Sequence, residues 1–432
     1  MPAIVRRPRA LRGTVRPPGD KSIAHRAAIF NAIAAGEAII ENFQGGADVL
    51  ATLRCLERLG VGHEWQGEAT LRIVGRGRRG LQEPASVLDC RNSGTTIRLL
   101  AGLLSPQPFF SVLTGDASLC SRPMDRVIQP LRLMGADIRG RRSDSLAPLA
   151  IAGRPLAGIR YRLPVASAQV KSALILAALY AEGETLLEES APTRDHTERL
   201  LEVMGADLQQ VGEGLIRVRP LAGDLRPLSL SIPGDISGAA PWLIAAALHP
   251  QAEVRLEGVG VNPTRSGVLD ALRLMGADLR LENQRLHGPE PVADIVARSS
   301  RLQGAVIAGD LVPRAIDELP LLALAGCLAR GETLIRDAAE PRVKESDRIR
   351  TTVRELRRLG ADIQEMADGM RIRGVAGLHG TAVSSHGDHR LAILLAIAGI
   401  IAHGETIIRN SQAVAVSYPW FWRDMEHLTL ER

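Results

Sequence analysis

The chain has 432 residues, 45% hydrophobic and 23% charged, a globular composition too long for one ordinary core, so two domains are expected. Its longest apolar run, Leu391 to Ala402, is 12 residues, below the roughly 18 to 20 that cross a bilayer, and no membrane association is expected. A net charge of +5 admits nucleic acid, but an aromatic fraction of 3% and basic residues spread along the chain argue against it, and no nucleic-acid partner is expected.

The opening MPAIVRRPRALRG lacks the apolar stretch and small-residue cleavage site of a secretory signal, so a cytoplasmic location is expected. Cys55, Cys90, Cys120 and Cys327 form no C-x-x-C pair, and reduced thiols are expected. Of 53 basic residues only Lys21, Lys171 and Lys344 are lysine. Where arginine has replaced lysine this thoroughly, a retained lysine marks a candidate site for a compact ammonium.

In chain order the sequence repeats one unit six times. A helix-ending phrase recurs as LERLGVG from Leu56, LRLMGAD from Leu131, LEVMGAD from Leu201, LRLMGAD from Leu272 and LRRLGAD from Leu356. Each unit reads as a polar cluster, an Ala/Leu/Ile-rich helix, a Gly or Pro stop, an alternating strand, an amphipathic helix ending in Gly, and further strands. The first helix, as in LAILLAIAGIIA, is apolar nearly all round and should be buried, while the second should lie at the surface. The expected class is α/β, with two domains of three repeated βαβαββ-like units each, dividing near Ser231-Ile232-Pro233-Gly234.

The polar clusters at the starts of the first helices are GDKSIAHR, RNSGTT, VASAQVK, PGDISG, AIDEL and HGDHR. Ser, Asn, Asp and Gly cap helices, and capping alone accounts for Asp235 and Ser237. Capping does not call for Lys21, Arg26, Arg98 or Arg390 at ends that carry a positive dipole, and an anion among them does. Two more clusters open second helices: SRPMDR, where Pro123 is expected to start the helix after Arg122, and PRVKESDR, with Lys344, Glu345, Asp347 and Arg348. Together they offer cations for several negative charges, with Asp317 and Glu345 to move protons. P-loop, dinucleotide, zincin and hydrolase-elbow motifs do not occur. His386 and His389 lie in an Arg-rich setting without a third ligand, so no metal is expected; Cys120 has no His nearby in sequence and reads as a structural thiol.

GDKSIAHR, NSGTTIR, GDASLCSRPM, VASAQVKSA, TRDHTE, IDELP, RVKESDRI, GDHR and SYPWF, in this order, resemble the 3-phosphoshikimate 1-carboxyvinyltransferase (EPSP synthase) family of enolpyruvyl transferases. The resemblance implies two inside-out α/β domains, 15–232 and 1–14 with 233–432, and a site in the cleft between them. It implies transfer of the enolpyruvyl group of phosphoenolpyruvate to the 5-hydroxyl of 3-phosphoshikimate, releasing phosphate, in the route to chorismate and aromatic amino acids. No cofactor is implied, and a monomer is expected. Carried over, Lys21, Ser22, Arg26, Ser167, Ala168, Gln169, Arg194, Asp317 and Lys344 are the expected 3-phosphoshikimate contacts. Lys21, Asn92, Gly94, Arg122, Gln169, Arg348 and Arg390 are those for phosphoenolpyruvate. Asp317 resembles the acceptor of the hydroxyl proton, and Glu345 the acid that protonates the methylene, with Lys21 a rival for part of that role.

Two departures from the family pattern matter. Val416 stands where several members have Lys before the aromatic-Pro pair, and Arg194 matches another branch that places a cation on the substrate. Gly94 is kept where glyphosate-insensitive forms carry Ala, which implies inhibition by glyphosate. The sister UDP-N-acetylglucosamine enolpyruvyl transferase is the nearest alternative. It has Lys-Asn where this chain has Lys21-Ser22, and its loop cysteine lies five residues before the matching Arg, whereas Cys120 lies two before Arg122. A non-catalytic phosphometabolite-binding protein would need the cations without Asp317 and Glu345.

Overall fold

The computed structural model describes residues 2–44 and 46–429. The Ala/Leu/Ile-rich runs form the helices Lys21–Ala32, Gly94–Leu104, Ala168–Ala178, Ile236–Leu248, Leu319–Leu328 and His389–Ile401. Mostly apolar, they are buried nearly all round; all of His389–Ile401 is buried. Small residues set how closely they pack. A side chain at Gly102 would meet the Ala173 carbonyl oxygen at 2.0 Å, so any substitution there would force the Gly94–Leu104 and Ala168–Ala178 helices apart.

The second helices, Ala47–Arg58, Asp125–Leu133, His196–Val203, Gly267–Leu274 and Arg348–Arg358, bury one face only. The recurring phrase ends each of them, because its glycine takes a left-handed conformation: φ is 85° at Gly60, 99° at Gly135, 98° at Gly205, 84° at Gly276 and 94° at Gly360. In the sixth unit Phe421–Thr429 occupies the second-helix place, without that ending.

The architecture is mixed α/β, with six small sheets among the described residues, five of four strands and one of three. In the second repeat Leu88–Asp89 pairs parallel with Phe110–Thr114, which pairs antiparallel with Leu146–Ala152, and that with Asp137–Gly140. Three sheets borrow a strand from far away in sequence. Leu230–Ser231 runs parallel to Ala35–Glu41, Leu11–Val15 parallel to Ala252–Gly260, and Ala3–Arg6 antiparallel to Glu405–Arg409.

The chain separates into two compact units, each with its own apolar core. The N unit holds residues 21–232 with the short turn 287–290; the C unit holds residues up to 20, 233–286 and from 291 on. Residues 15–20, expected with the first domain, belong to the C unit, because Val15 pairs with Leu256 and Asp20 N donates to Pro233 O at 2.8 Å. Among the described residues no helix is long and apolar enough to cross a membrane.

Candidate active site

In the N unit the three buried helices bring their starts together. Ser93 caps Gly94–Leu104 by accepting from Thr96 N at 3.2 Å, and Ser167 caps Ala168–Ala178 by accepting from Val170 N at 3.5 Å. Beyond the caps, one group of side chains surrounds Gly94, the first residue of its helix. Asn92 accepts from Arg122 and donates to Asp116 Oδ2 at 2.7 Å; Arg98 Nη1 donates to Gln169 Oε1 at 3.0 Å, and Gln169 Nε2 to Thr95 Oγ1 at 2.9 Å. A Cβ on Gly94 would stand 2.6 Å from Arg98 Nη1 and 3.4 Å from Arg122 Nη1. The glycine therefore keeps an opening between two guanidinium groups.

A second group lies around Ser22. Arg194 Nη1 donates to Ser22 Oγ at 3.2 Å, and Arg26 Nη1 to the Ser22 carbonyl at 2.9 Å. Arg26 is buried, and its Nε and Nη2 reach Thr197 and Ser172, each at 2.7 Å. Lys21 Nζ lies 3.0 Å from Asp48 Oδ2. Behind these groups His25 donates to or accepts from Thr52 Oγ1 at 2.7 Å, and Thr52 bonds Thr96 at 2.7 Å. Burial lowers the His25 pKa to about 3, so this imidazole stays neutral.

The C unit gathers carboxylates around arginines. Asp317 Oδ1 is 3.4 Å from Arg348 Nη1, and its Oδ2 is 3.8 Å from Arg390 Nη2 and 3.9 Å from Arg265 Nη2. Arg348 also pairs with Glu345 at 2.5 Å and with Asp388 at 2.9 Å. Burial works against the charge of Arg348, but Asp388, Glu345 and Asp317 outweigh it and push the pKa up. Burial raises the Asp388 pKa and Arg348 brings it below the usual carboxylate range, whereas Asp235, buried beside Asp20, is held above it. The caps are as expected: Asp235 accepts from Ser237 N and Asp388 from Arg390 N, each at 2.8 Å.

One placement differs from the sequence reading. Pro123 does not start a helix; the helix begins at Asp125, and Pro123 instead holds Arg122 extended, at φ −82° and ψ 142°. The amine of Lys344 lies 3.0 Å from Glu340. Lys171 is wholly buried against Glu189 and Glu198. His386 and His389 turn to different partners, Glu355 at 2.9 Å and Asp388 at 4.0 Å. Among the described residues no three side chains of metal-binding type come together.

Sequence reasoning missed Asp48, Asp116, Arg265, Glu318 and the role of Asp388. Arg265 was within reach of the repeat: it precedes Leu272 by the same seven residues that separate Arg194 from Leu201. It is buried, donating to Glu318 Oε2 at 2.8 Å and to Ser237. The two sets differ in charge. In the N unit Lys21 meets Asp48 and Asn92 meets Asp116, while Arg265, Arg348 and Arg390 of the C unit face Asp235, Asp317, Glu318, Glu345 and Asp388.

The sixfold repetition thus lines the helix starts of one unit with cations and those of the other with arginine-held carboxylates. The enolpyruvyl transferase NikO from Streptomyces tendae has the same fold, at TM-score 0.80 and 19% identity over 99% of this chain and 97% of that one. The EPSP synthase (3-phosphoshikimate 1-carboxyvinyltransferase) family model matches residues 5–425, and the chain belongs to that family of transferases. It is 55% identical to the 3-phosphoshikimate 1-carboxyvinyltransferase of Roseiflexus sp. (strain RS-1), over 96% of both chains, and 52% identical to that of Herpetosiphon aurantiacus, also over 96% of both. The structure of EPSP synthase from Acinetobacter baumannii superposes at TM-score 0.88, with 44% identity over 99% of this chain and 98% of that one.

Proposed function

We propose that the chain transfers the enolpyruvyl group of phosphoenolpyruvate to the 5-hydroxyl of 3-phosphoshikimate. Membership of the family supports the reaction. The observation that carries the assignment of roles is the carboxylate of Asp317, which lies within 3.4 to 3.9 Å of three guanidinium groups. In this reading Asp317 accepts the hydroxyl proton, the freed oxygen bonds to C2 of phosphoenolpyruvate, and Glu345 gives a proton to C3. The tetrahedral ketal then loses a proton from C3 and expels phosphate, which restores the double bond.

Charge must be held through both steps, and fixed cations suit that task without a metal. Asn92, Gly94, Arg122 and Gln169 with Arg98 form the phosphoenolpyruvate set, and Arg348 and Arg390 join them in the reading carried by the family. Ser22, Arg26, Arg194, Ser167 and Ala168 form the 3-phosphoshikimate set, with Lys21 serving both. Lys344 would have to exchange Glu340 for the substrate. The reading requires both units to act on one substrate pair, with the enzyme working as a cytoplasmic monomer on small anions.

The test is phosphate release from the purified protein mixed with phosphoenolpyruvate and 3-phosphoshikimate, with UDP-N-acetylglucosamine as acceptor in a parallel tube. Release with 3-phosphoshikimate alone is expected. Release only in the parallel tube, or in neither, overturns the reading.

A further inference from the structure

Lys171 takes no part in the scheme above and has no exposed surface. It is the fourth residue of the Ala168–Ala178 helix, with Nζ 3.0 Å from Glu189 Oε1 and also paired with Glu198 Oε1. Burial opposes its charge, and the carboxylates of Glu198 and Glu189 more than offset that, raising its pKa. Burial pushes the Glu198 pKa up, and its Oε2 is buried with no hydrogen-bond partner. One ammonium thus compensates two carboxylates that are largely screened from solvent.

Each carboxylate leads to one of the cations around Ser22. Glu189 accepts from Thr193 N at 3.1 Å and from the Thr193 hydroxyl, and the next residue, Arg194, reaches Ser22 Oγ at 3.2 Å. Glu198 sits in the first turn of His196–Val203 beside Thr197, which accepts from Arg26 Nε at 2.7 Å and bonds Ser172 Oγ at 2.6 Å. Ser172, next to Lys171, accepts from Arg26 Nη2 at 2.7 Å. Gln169, two residues before Lys171 and so on roughly the opposite face of the helix, bonds Arg98 and Thr95 of the other group.

We propose that Lys171 is a positioning residue that sets Arg26 and Arg194, and through them the affinity for 3-phosphoshikimate. The proposal rests on the function given above. A compact ammonium fits between two carboxylates where a planar guanidinium would push them apart, which gives a reason for lysine here in an arginine-rich chain.

The test is steady-state kinetics of Lys171→Met in the full chain. Displacing two charged contacts by a fraction of an ångström should raise KM for 3-phosphoshikimate by about tenfold or more, with KM for phosphoenolpyruvate and kcat within about threefold. Adding Glu198→Gln, which removes one of the two charges left uncompensated, should recover part of the affinity. Thr193→Val, which cuts only the link to Arg194, keeps the test open if Lys171→Met fails to fold, and should raise the same KM by about threefold or more. Equal rises in both KM values, or lowered thermal stability with both KM values unchanged, would overturn the proposal. An inactive wild-type protein would instead overturn the function on which it rests.

Discussion

Replacing Arg265 by Met removes one member of the ion pair at the centre of the C unit cluster. Arg265 donates to both oxygens of Glu318, at 2.8 and 3.1 Å, and Glu318 has no exposed surface. Breaking a buried pair from one side costs about 3 to 5 kcal/mol, because the remaining charge is left without a counter-ion. Here the Ser237 hydroxyl and Arg390, 3.8 Å from Glu318 Oε1, soften that loss, so the lower end, about 3 kcal/mol, is expected. Replacing both partners, Arg265→Met with Glu318→Leu, removes the stranded charge. It leaves Asp235 and Asp317 without a guanidinium that stood 3.7 and 3.9 Å away, a residual cost of about 1 kcal/mol. The double variant should therefore recover about 2 kcal/mol relative to Arg265→Met. Chemical denaturation followed by tryptophan fluorescence reads this out, since Trp242, Trp420 and Trp422 belong to the C unit. A single variant costing less than about 1 kcal/mol, or a double variant no more stable than the single, would refute the reasoning.

Asp317→Asn should lower kcat by about 10²- to 10⁴-fold with a smaller change in either KM, as expected for loss of a general base; a rate within tenfold of wild type would remove Asp317 from that role. Gly94→Ala places a methyl 2.6 Å from Arg98 Nη1, which is held by Gly94 O, Gln169 and Pro123 O through its two terminal nitrogens. Losing one charged hydrogen bond should raise KM for phosphoenolpyruvate by about tenfold or more and weaken glyphosate inhibition in parallel, whereas unchanged inhibition would contradict it. His25 titrates near pH 3 when folded and near 6.5 when unfolded, so its contribution is complete above pH 6.5 and is lost as pH falls toward 3. Because the unfolded chain binds the proton first, stability should fall by up to about 1.4 kcal/mol per pH unit between pH 6 and 4 on this account. Denaturation of His25→Asn across that range should show a correspondingly shallower slope, and an unchanged slope would refute the assignment.

The repeats were legible because their signals are local. The glycines of the helix-ending phrase, Gly60, Gly135, Gly205, Gly276 and Gly360, each take the left-handed conformation that stops a helix, and that requirement shows in the sequence wherever the chain happens to be. The strands that close the first, fourth and sixth sheets were not legible. Leu230–Ser231 is two residues long, and Leu11–Val15 finds its partner at Ala252–Gly260, so nothing in either segment names the edge it joins. The same contrast runs through the candidate site. Asn92, Gly94, Arg122 and Gln169 sit at or near helix starts, and the structure brings them together. A formal charge does not reveal its partner: Arg348 reads as an anion ligand, yet its Nε, Nη1 and Nη2 lie on Asp388, Asp317 and Glu345.

The distribution of partners has a chemical consequence. A neutral hydrogen bond, as from Arg98 to Gln169 or from Arg194 to Ser22, can be exchanged for one to a phosphate or carboxylate oxygen at a net gain. A cation already paired with buried carboxylates, as Arg348 with Asp388, keeps those pairs when it also meets an anion, because leaving them would uncover a charge. In the proposed reading these exchangeable contacts of the N unit serve the anions. In the same reading the arginines of the C unit also fix Asp317 and Glu345, so that each carboxylate meets its proton in one orientation. Enolpyruvyl transfer needs both, since the same anionic groups must stay held while protons arrive at and leave one carbon.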